Sequence, residues 1–229
     1  MIIKSSRVRA FRVREDGTTL VEFAICIALF LLILFAVLDF GRLGYNWVMA
    51  EKAMQRTVRI AAVRPPICVG VPDYHSRSDP NDATFPAGTD CRDVAGLCFA
   101  AGPIQCTLST ADGSNPDAIA AAAEIWTSVQ PLLPDNATNA NVLLRYQYDP
   151  NLGFLGGPFV PLITAELVGP ASNGSYGDFL FTFMTPLSSL AGAANAGDTS
   201  GIPSSGSTIP FPDVSVSLPA EDMNLGSRG

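Results

Sequence analysis

The chain has 229 residues, 48% of them hydrophobic and 15% charged, with a net charge of −7. The charge is unevenly spread, because residues 66–229 hold four basic residues (Arg77, Arg92, Arg145, Arg228) against sixteen acids. A region so acidic lacks the basic footprint that nucleic-acid binding needs, which argues against a nucleic-acid partner.

Residues 1–17 form a short basic leader, with Lys4, Arg7, Arg9, Arg12 and Arg14 against Glu15 and Asp16. Residues 18–38 are the only window long and apolar enough to cross a membrane. At about 1.5 Å per residue they span roughly 31 Å as a helix, the thickness of a hydrocarbon core. Within them Phe23–Leu38 carries no charge, yet Glu22 stands immediately ahead. An ionised side chain costs roughly 2.5–3.5 kcal/mol at mid-bilayer and less near the interface, so its depth, a partner or a function has to account for Glu22. The basic residues before the span outnumber those just after it, which predicts a cytoplasmic N-terminus with the remainder outside. The span is too long for a secretory h-region, and Asp39-Phe40-Gly41-Arg42 follows it instead of a small-x-small cleavage site, so it is expected to stay with the protein.

Beyond the span, Phe40, Leu43, Trp47, Ala50, Met54, Thr57 and Ala61 recur at steps of three and four, one seam of an amphipathic helix over residues 39–64. Pro65-Pro66 end it. No proline interrupts residues 18–64, so the spacing predicts one continuous helix of roughly 70 Å, which Gly41 and Gly44 could bend.

Residues 66–115 are rich in Pro, Gly, Asp and Ser, show little periodicity, and hold Cys68, Cys91, Cys98 and Cys106. In an oxidising compartment four cysteines predict two disulfides, with three possible connectivities. Zinc would require close pairs such as C-x-x-C, which are absent, so neither a metal nor another cofactor is expected. Cys26, inside the span, reads as a small buried thiol.

Asn115-Pro116 reads as a helix start, with Ile119, Ala122, Trp126 and Val129 on one face and Pro131 as the stop. Strands follow at "NVLLRYQY" (Val142, Leu144, Tyr146 and Tyr148 on one face), "PLITAELV", "DFLFTFMT" and "DVSVSL". Residues 186–208 read as a flexible stretch, and the tail after Pro219 as frayed. The predicted class is α+β: a long N-terminal helix, then a domain over residues 66–229 with a small antiparallel sheet and disulfide-bearing loops.

The string "REDG…VEFA…LDFGR…YNWVMAEKAMQRTVRIAA" is similar to the TadE-like pseudopilins and minor pilins of the tight-adherence (Flp) type IVb pilus. The resemblance covers about residues 12–62. It implies a processing site between Gly17 and Thr18, with Glu22 as the fifth mature residue and an assembly residue. Val21, Phe23, Asp39, Phe40, Gly41 and Arg42 complete the motif. The implied partners are a prepilin peptidase, other pilins or pseudopilins and an inner-membrane assembly platform. The implied location is the bacterial inner membrane, single-pass, with the C-terminal domain periplasmic. Glu22-Phe23 stands where the major Flp pilins have Glu-Tyr, and the chain is far longer than those.

Catalysis finds no footing in the sequence. His75, the only histidine, lies in a Pro/Asp-rich loop without a companion motif. The acids at Asp73, Asp79, Asp82, Asp90 and Asp93 lack calcium-loop spacing. "DVSVS", Asp213–Ser217, resembles a D-x-S-x-S metal motif but reads as an alternating strand. The protein is read as a non-enzyme, with an uncleaved signal-anchor protein carrying a periplasmic binding domain as the rival.

Overall fold

The structure is a computed structural model that describes residues 16–81, 84–172, 174–187, 206–221 and 223. The leader up to residue 15 and residues 188–205 of the predicted flexible stretch lie outside the described residues. The chain divides into two compact units, Met1–Gly44 with Phe181–Ile209, and Tyr45–Leu180 with Pro210–Gly229.

A single helix, α1 (Asp16–Val63), runs through both units. Its 48 residues correspond to about 72 Å, and it ends where Pro65 pushes Arg64 out of the α region. Helix continues unbroken through Gly41 and Gly44, where an added Cβ would meet nothing within 4 Å. In the first unit the apolar side chains of α1 face outward: Leu20, Phe23, Phe30 and Val37 are each more than 60% exposed. A continuous apolar surface of that kind belongs in lipid rather than water. Cys26 is exposed on the same surface, so its predicted burial within the protein is corrected.

In the second unit α1 is buried along Ala50, Ala53, Met54, Thr57, Val58, Ala61 and Ala62, a stripe at helical spacing. The predicted seam holds from Ala50 onward, whereas Phe40 and Trp47 remain 54% and 39% exposed. The Thr57 hydroxyl donates to the Ala53 carbonyl at 2.9 Å, which satisfies it inside the stripe.

The sheet of this unit is antiparallel and five-stranded. Its strands are β1 (Ile104–Thr107), β2 (Val142–Gln147), β3 (Leu162–Ser172), β4 (Ser175–Asp178) and, numbered in chain order after two short strands described below, β7 (Ser215–Pro219). The order is β1-β2-β3-β4, with β7 also on β3. Alternation decides the inner face: Val142, Leu144 and Tyr146 of β2 and Ile163 and Ala165 of β3 are at most 1% exposed. Leu143 is equally buried, so the other face of β2 is covered as well. A bulge breaks the β3–β4 register between Val168 and Ala171, where a Cβ on Gly169 would stand 2.3 Å from the Asp178 carbonyl oxygen. Ser217, of the D-x-S-x-S string, lies on β7 with its hydroxyl 2.8 Å from that of Thr164.

Helix α2 (Pro116–Val129) is capped by the Asn115 side chain, which accepts from the Asp117 amide at 3.0 Å. Its buried face is Ala118, Ala121, Ala122, Ile125 and Val129, a rotation from the predicted face that leaves Ile119 49% exposed. The helix packs through its alanines, which permit close approach, and leaves the bulkier Ile119 and Trp126 at the rim. Strand β1 falls inside the region read as lacking periodic structure, because four residues carry too little pattern to be seen.

The string read as one strand at residues 178–185 is divided. Asp178 ends β4, and β5 (Leu180–Thr182) pairs instead with β6 (Thr208–Pro210) in a two-stranded ribbon. Phe179, Phe181 and Phe183 are all buried, as their alternation requires. The described part of the tail is packed rather than frayed. The Ala220 amide donates to Pro161, the Glu221 amide donates to Ala62, and Met223 is fully buried.

Candidate functional site at the ends of the apolar helix segment

Gly17 and Thr18 lie on α1, which is described from Asp16 onward. Glu22 follows Thr18 by four residues, about 6 Å along the axis and on the same face. Its neighbours Val21 and Phe23 are 56% and 67% exposed, so the segment presents an apolar surface broken by one carboxylate. Among the described residues Glu22 forms no ion pair.

The other end of the apolar segment is held by a clasp within the first unit. Asp39 is 2% exposed. Its carboxylate accepts from the Thr185 amide at 3.1 Å, from the Thr185 hydroxyl, and from the Met184 amide at 3.4 Å. Three donors on one buried carboxylate compensate for its lost hydration. Arg42, one turn on, donates to the Thr182 carbonyl and lies 4.6 Å over the Phe181 ring. Phe40 meets Phe183 edge-on at 5.9 Å. Asp39, Phe40 and Arg42 thus grip the segment Phe181–Thr185, and the pattern Asp-Phe-Gly-Arg acquires a local structural role. Gly41 sits between them on the exposed side of the helix.

The four cysteines of the second unit are paired Cys68–Cys106 and Cys91–Cys98, with Cα separations of 5.5 and 5.4 Å. The first ties the chain leaving α1 to β1. The second closes a short loop against Leu97 and Leu155.

Sequence reasoning passed over His75, which is 1% exposed and lies with Cys91 and Cys98 so that one ring nitrogen and both sulfurs fall within 4.8 Å of one another. Its only signal in the sequence is that a lone histidine stands in a cysteine-bearing loop. The imidazole Nε2 accepts from the Val160 amide at 3.2 Å, so Nδ1 carries the proton of the neutral ring, and burial pushes the pKa down. With both sulfurs tied in a disulfide and Nε2 engaged, these three side chains offer no free ligand set to a metal.

Set against known families, residues 17–59 match the family described as TadE-like protein. The match begins at Gly17 and includes Glu22 and the whole Asp39–Arg42 clasp. No curated protein and no solved structure matches the chain. Over residues 17–59, a minor part of the chain, it is similar to TadE-like proteins, and among the described residues one apolar helix is long enough to cross a membrane, which supports a protein associated with the tight-adherence pilus.

Proposed function

We propose that the chain is a pseudopilin or minor pilin that takes part in assembling a tight-adherence pilus or a related secretion apparatus. The carrying observation is the placement of Gly17, Thr18 and Glu22 at the head of an unbroken helix whose TadE-like match starts at that glycine. In this reading the protein inserts with its N-terminus in the cytoplasm and its disulfide-bearing domain in the periplasm. A prepilin peptidase hydrolyses the Gly17–Thr18 bond, leaving a carboxylate on Gly17 and an ammonium on Thr18. Glu22, one turn along, then pairs with that ammonium or with the ammonium of a neighbouring subunit. In low dielectric the pair offsets much of the cost of each charge. Other pilins and an inner-membrane platform are the partners, and the protein has a structural role rather than a catalytic one.

Coexpression with a prepilin peptidase tests the first step: the chain should shorten by seventeen residues, the length of the leader. An unchanged length, or equal shortening of Gly17→Ala, refutes processing and leaves the uncleaved signal-anchor reading. Glu22→Ala tests the second step, with piliation expected to fail while membrane insertion persists.

A further inference from the structure

The two ionisable residues at the exit of the apolar segment both turn toward the protein. From Phe23 to Ala50 the chain carries no charge other than Asp39 and Arg42, opposite in sign and three positions apart. Asp39 is buried on the Met184 and Thr185 donors, and Arg42 reaches the Thr182 carbonyl across the Phe181 ring. What the first unit shows outward here is apolar: Val37, Leu38, Phe40 and Met184 are each more than half exposed. The apolar surface of α1 therefore does not stop at Leu38. It continues past the clasp and onto the gripped segment.

That segment meets the conditions that hydrocarbon sets. It carries no ionisable side chain from Phe181 to Leu187, and the paired stretch from Gly206 to Pro210 carries none either. At membrane depth the backbone polar groups must be satisfied within the protein. The Thr182 carbonyl accepts from Arg42, and the Phe183 amide donates to the Ser207 carbonyl at 3.0 Å. The Phe183 carbonyl accepts from the Gly206 amide at 2.9 Å, and the Met184 and Thr185 amides end on Asp39. Three consecutive amides are thus satisfied without water. The segment also groups with Met1–Gly44, the part of the chain that holds the apolar span, rather than with the sheet.

Length agrees. Phe23–Gly44 measures about 33 Å as a helix, so a hydrocarbon core of roughly 30 Å laid over it leaves Glu22 at the border. The same core laid over Thr18–Leu38 encloses Glu22, where its charge costs more.

We propose that the leaflet on the C-terminal side of the span covers the clasp, with Phe40 and Met184 against its acyl chains and Asp39 and Arg42 sealed beneath them. The inference rests on α1 crossing a membrane and not on a role in the pilus.

Cys26→Ser removes the one free cysteine among the described residues, which lets a nitroxide be placed at Met184→Cys. The full-length protein is reconstituted in bilayers of phosphatidylcholine and phosphatidylglycerol. Phe30→Cys, within the span, and Ala123→Cys, exposed on α2, give the lipid and water references. Relaxation by oxygen, which enters hydrocarbon, is compared with relaxation by an ionic chromium chelate, which does not. The oxygen-to-chelate ratio at Met184→Cys is expected to match that at Phe30→Cys and to exceed that at Ala123→Cys at least about tenfold. A water-like ratio at Met184→Cys, with Phe30→Cys in lipid, overturns the proposal alone, whereas water-like ratios at both overturn the span with it. Low access to both reagents means that protein covers the segment, which overturns the proposal as well. If Met184→Cys does not fold, a lipid-soluble diazirine photolysed with the unaltered protein decides the matter. Labelling within Phe181–Thr185 is expected, and none there overturns the proposal.

Discussion

Removing the carboxylate of Asp39 should release the segment Phe181–Thr185 from α1 without unfolding the sheet. Of its three hydrogen bonds, the 3.4 Å contact from Met184 is at the edge of useful geometry, so the two from Thr185 dominate. Hydrogen bonds to a charged group contribute about 1.5–3 kcal/mol each, and leaving a buried amide unsatisfied adds to the loss. Asp39→Asn keeps one acceptor oxygen but turns an NH2 toward a donor, for a cost of about 2 kcal/mol; Asp39→Ala removes both acceptors, for about 3–4. Hydrogen exchange on the full chain in detergent reads this locally. The Thr185 amide should lose about thirtyfold protection in Asp39→Asn and more in Asp39→Ala, while Leu144 in the centre of the sheet should not change. Protection at Thr185 that stays within about threefold in Asp39→Ala would refute the clasp as what holds this segment. An equal loss at Leu144 would refute its being local.

The two disulfides should differ in worth, because they close loops of 38 and 7 residues. Loop-closure entropy gives about 4 kcal/mol for Cys68–Cys106 and about 2.4 for Cys91–Cys98, so paired serine substitutions should rank in that order in urea denaturation. Burial lowers the pKa of His75, so the unfolded chain takes up a proton below about pH 6.5 while the folded protein stays neutral. Stability should therefore fall as pH drops from about 6.5 toward the lowered folded value, and His75→Gln should flatten the stability–pH curve there. Gly153→Ala should cost about 2–3 kcal/mol. Its φ is +79°, and the new Cβ would stand 2.2 Å from His75 Nε2. Thermal melts of this variant with and without His75→Ala should recover the collision part of that loss and not the strain of the positive φ.

Much of the architecture was legible because it rests on patterns that local physics enforces. The absence of proline before Pro65 and the stripe from Ala50 to Ala61 defined α1, and alternation defined β2, β3 and the buried Phe179–Phe181–Phe183 face. The pairing of cysteines was not legible, since any of three connectivities satisfies the same spacing and only the fold brings Cys68 to Cys106. The face of α2 is half legible: Ala122 and Val129 are buried as expected, but Ile125 takes the place of Ile119 and Trp126, because packing rather than apolar pattern chooses between neighbouring apolar positions. The site divides in the same way. Gly17, Glu22 and Asp39–Arg42 stand out by order along the chain, but the grip of Asp39 and Arg42 on residues some 140 positions later is a tertiary fact. His75 gives almost no signal beyond standing alone in a cysteine-bearing loop, because its burial against Cys91 and Cys98 comes only from the fold.

The start of α1 bears on how processing would proceed under the proposed function. The described helix already includes Gly17 and Thr18, so the peptide bond between them is helical in the uncut chain. A peptidase needs extended backbone, so this stretch has to open for cleavage, and Gly17 lowers the cost because glycine is a poor helix former. Hydrolysis would then make Thr18 the helix terminus and place an ammonium at the positive end of the macrodipole, an unfavourable position. Glu22, within the new first turn, is the one carboxylate placed to counter both the ammonium and the dipole. Its apparent excess in the uncut chain thus becomes a near balance in the cut one. Glu22→Gln should accordingly leave cleavage intact while making the processed N-terminus less stable in lipid, read as faster exchange of amides 19–22 in the cut protein and no change in the uncut one. Equal exchange in both forms would remove the ammonium–carboxylate pair from the account.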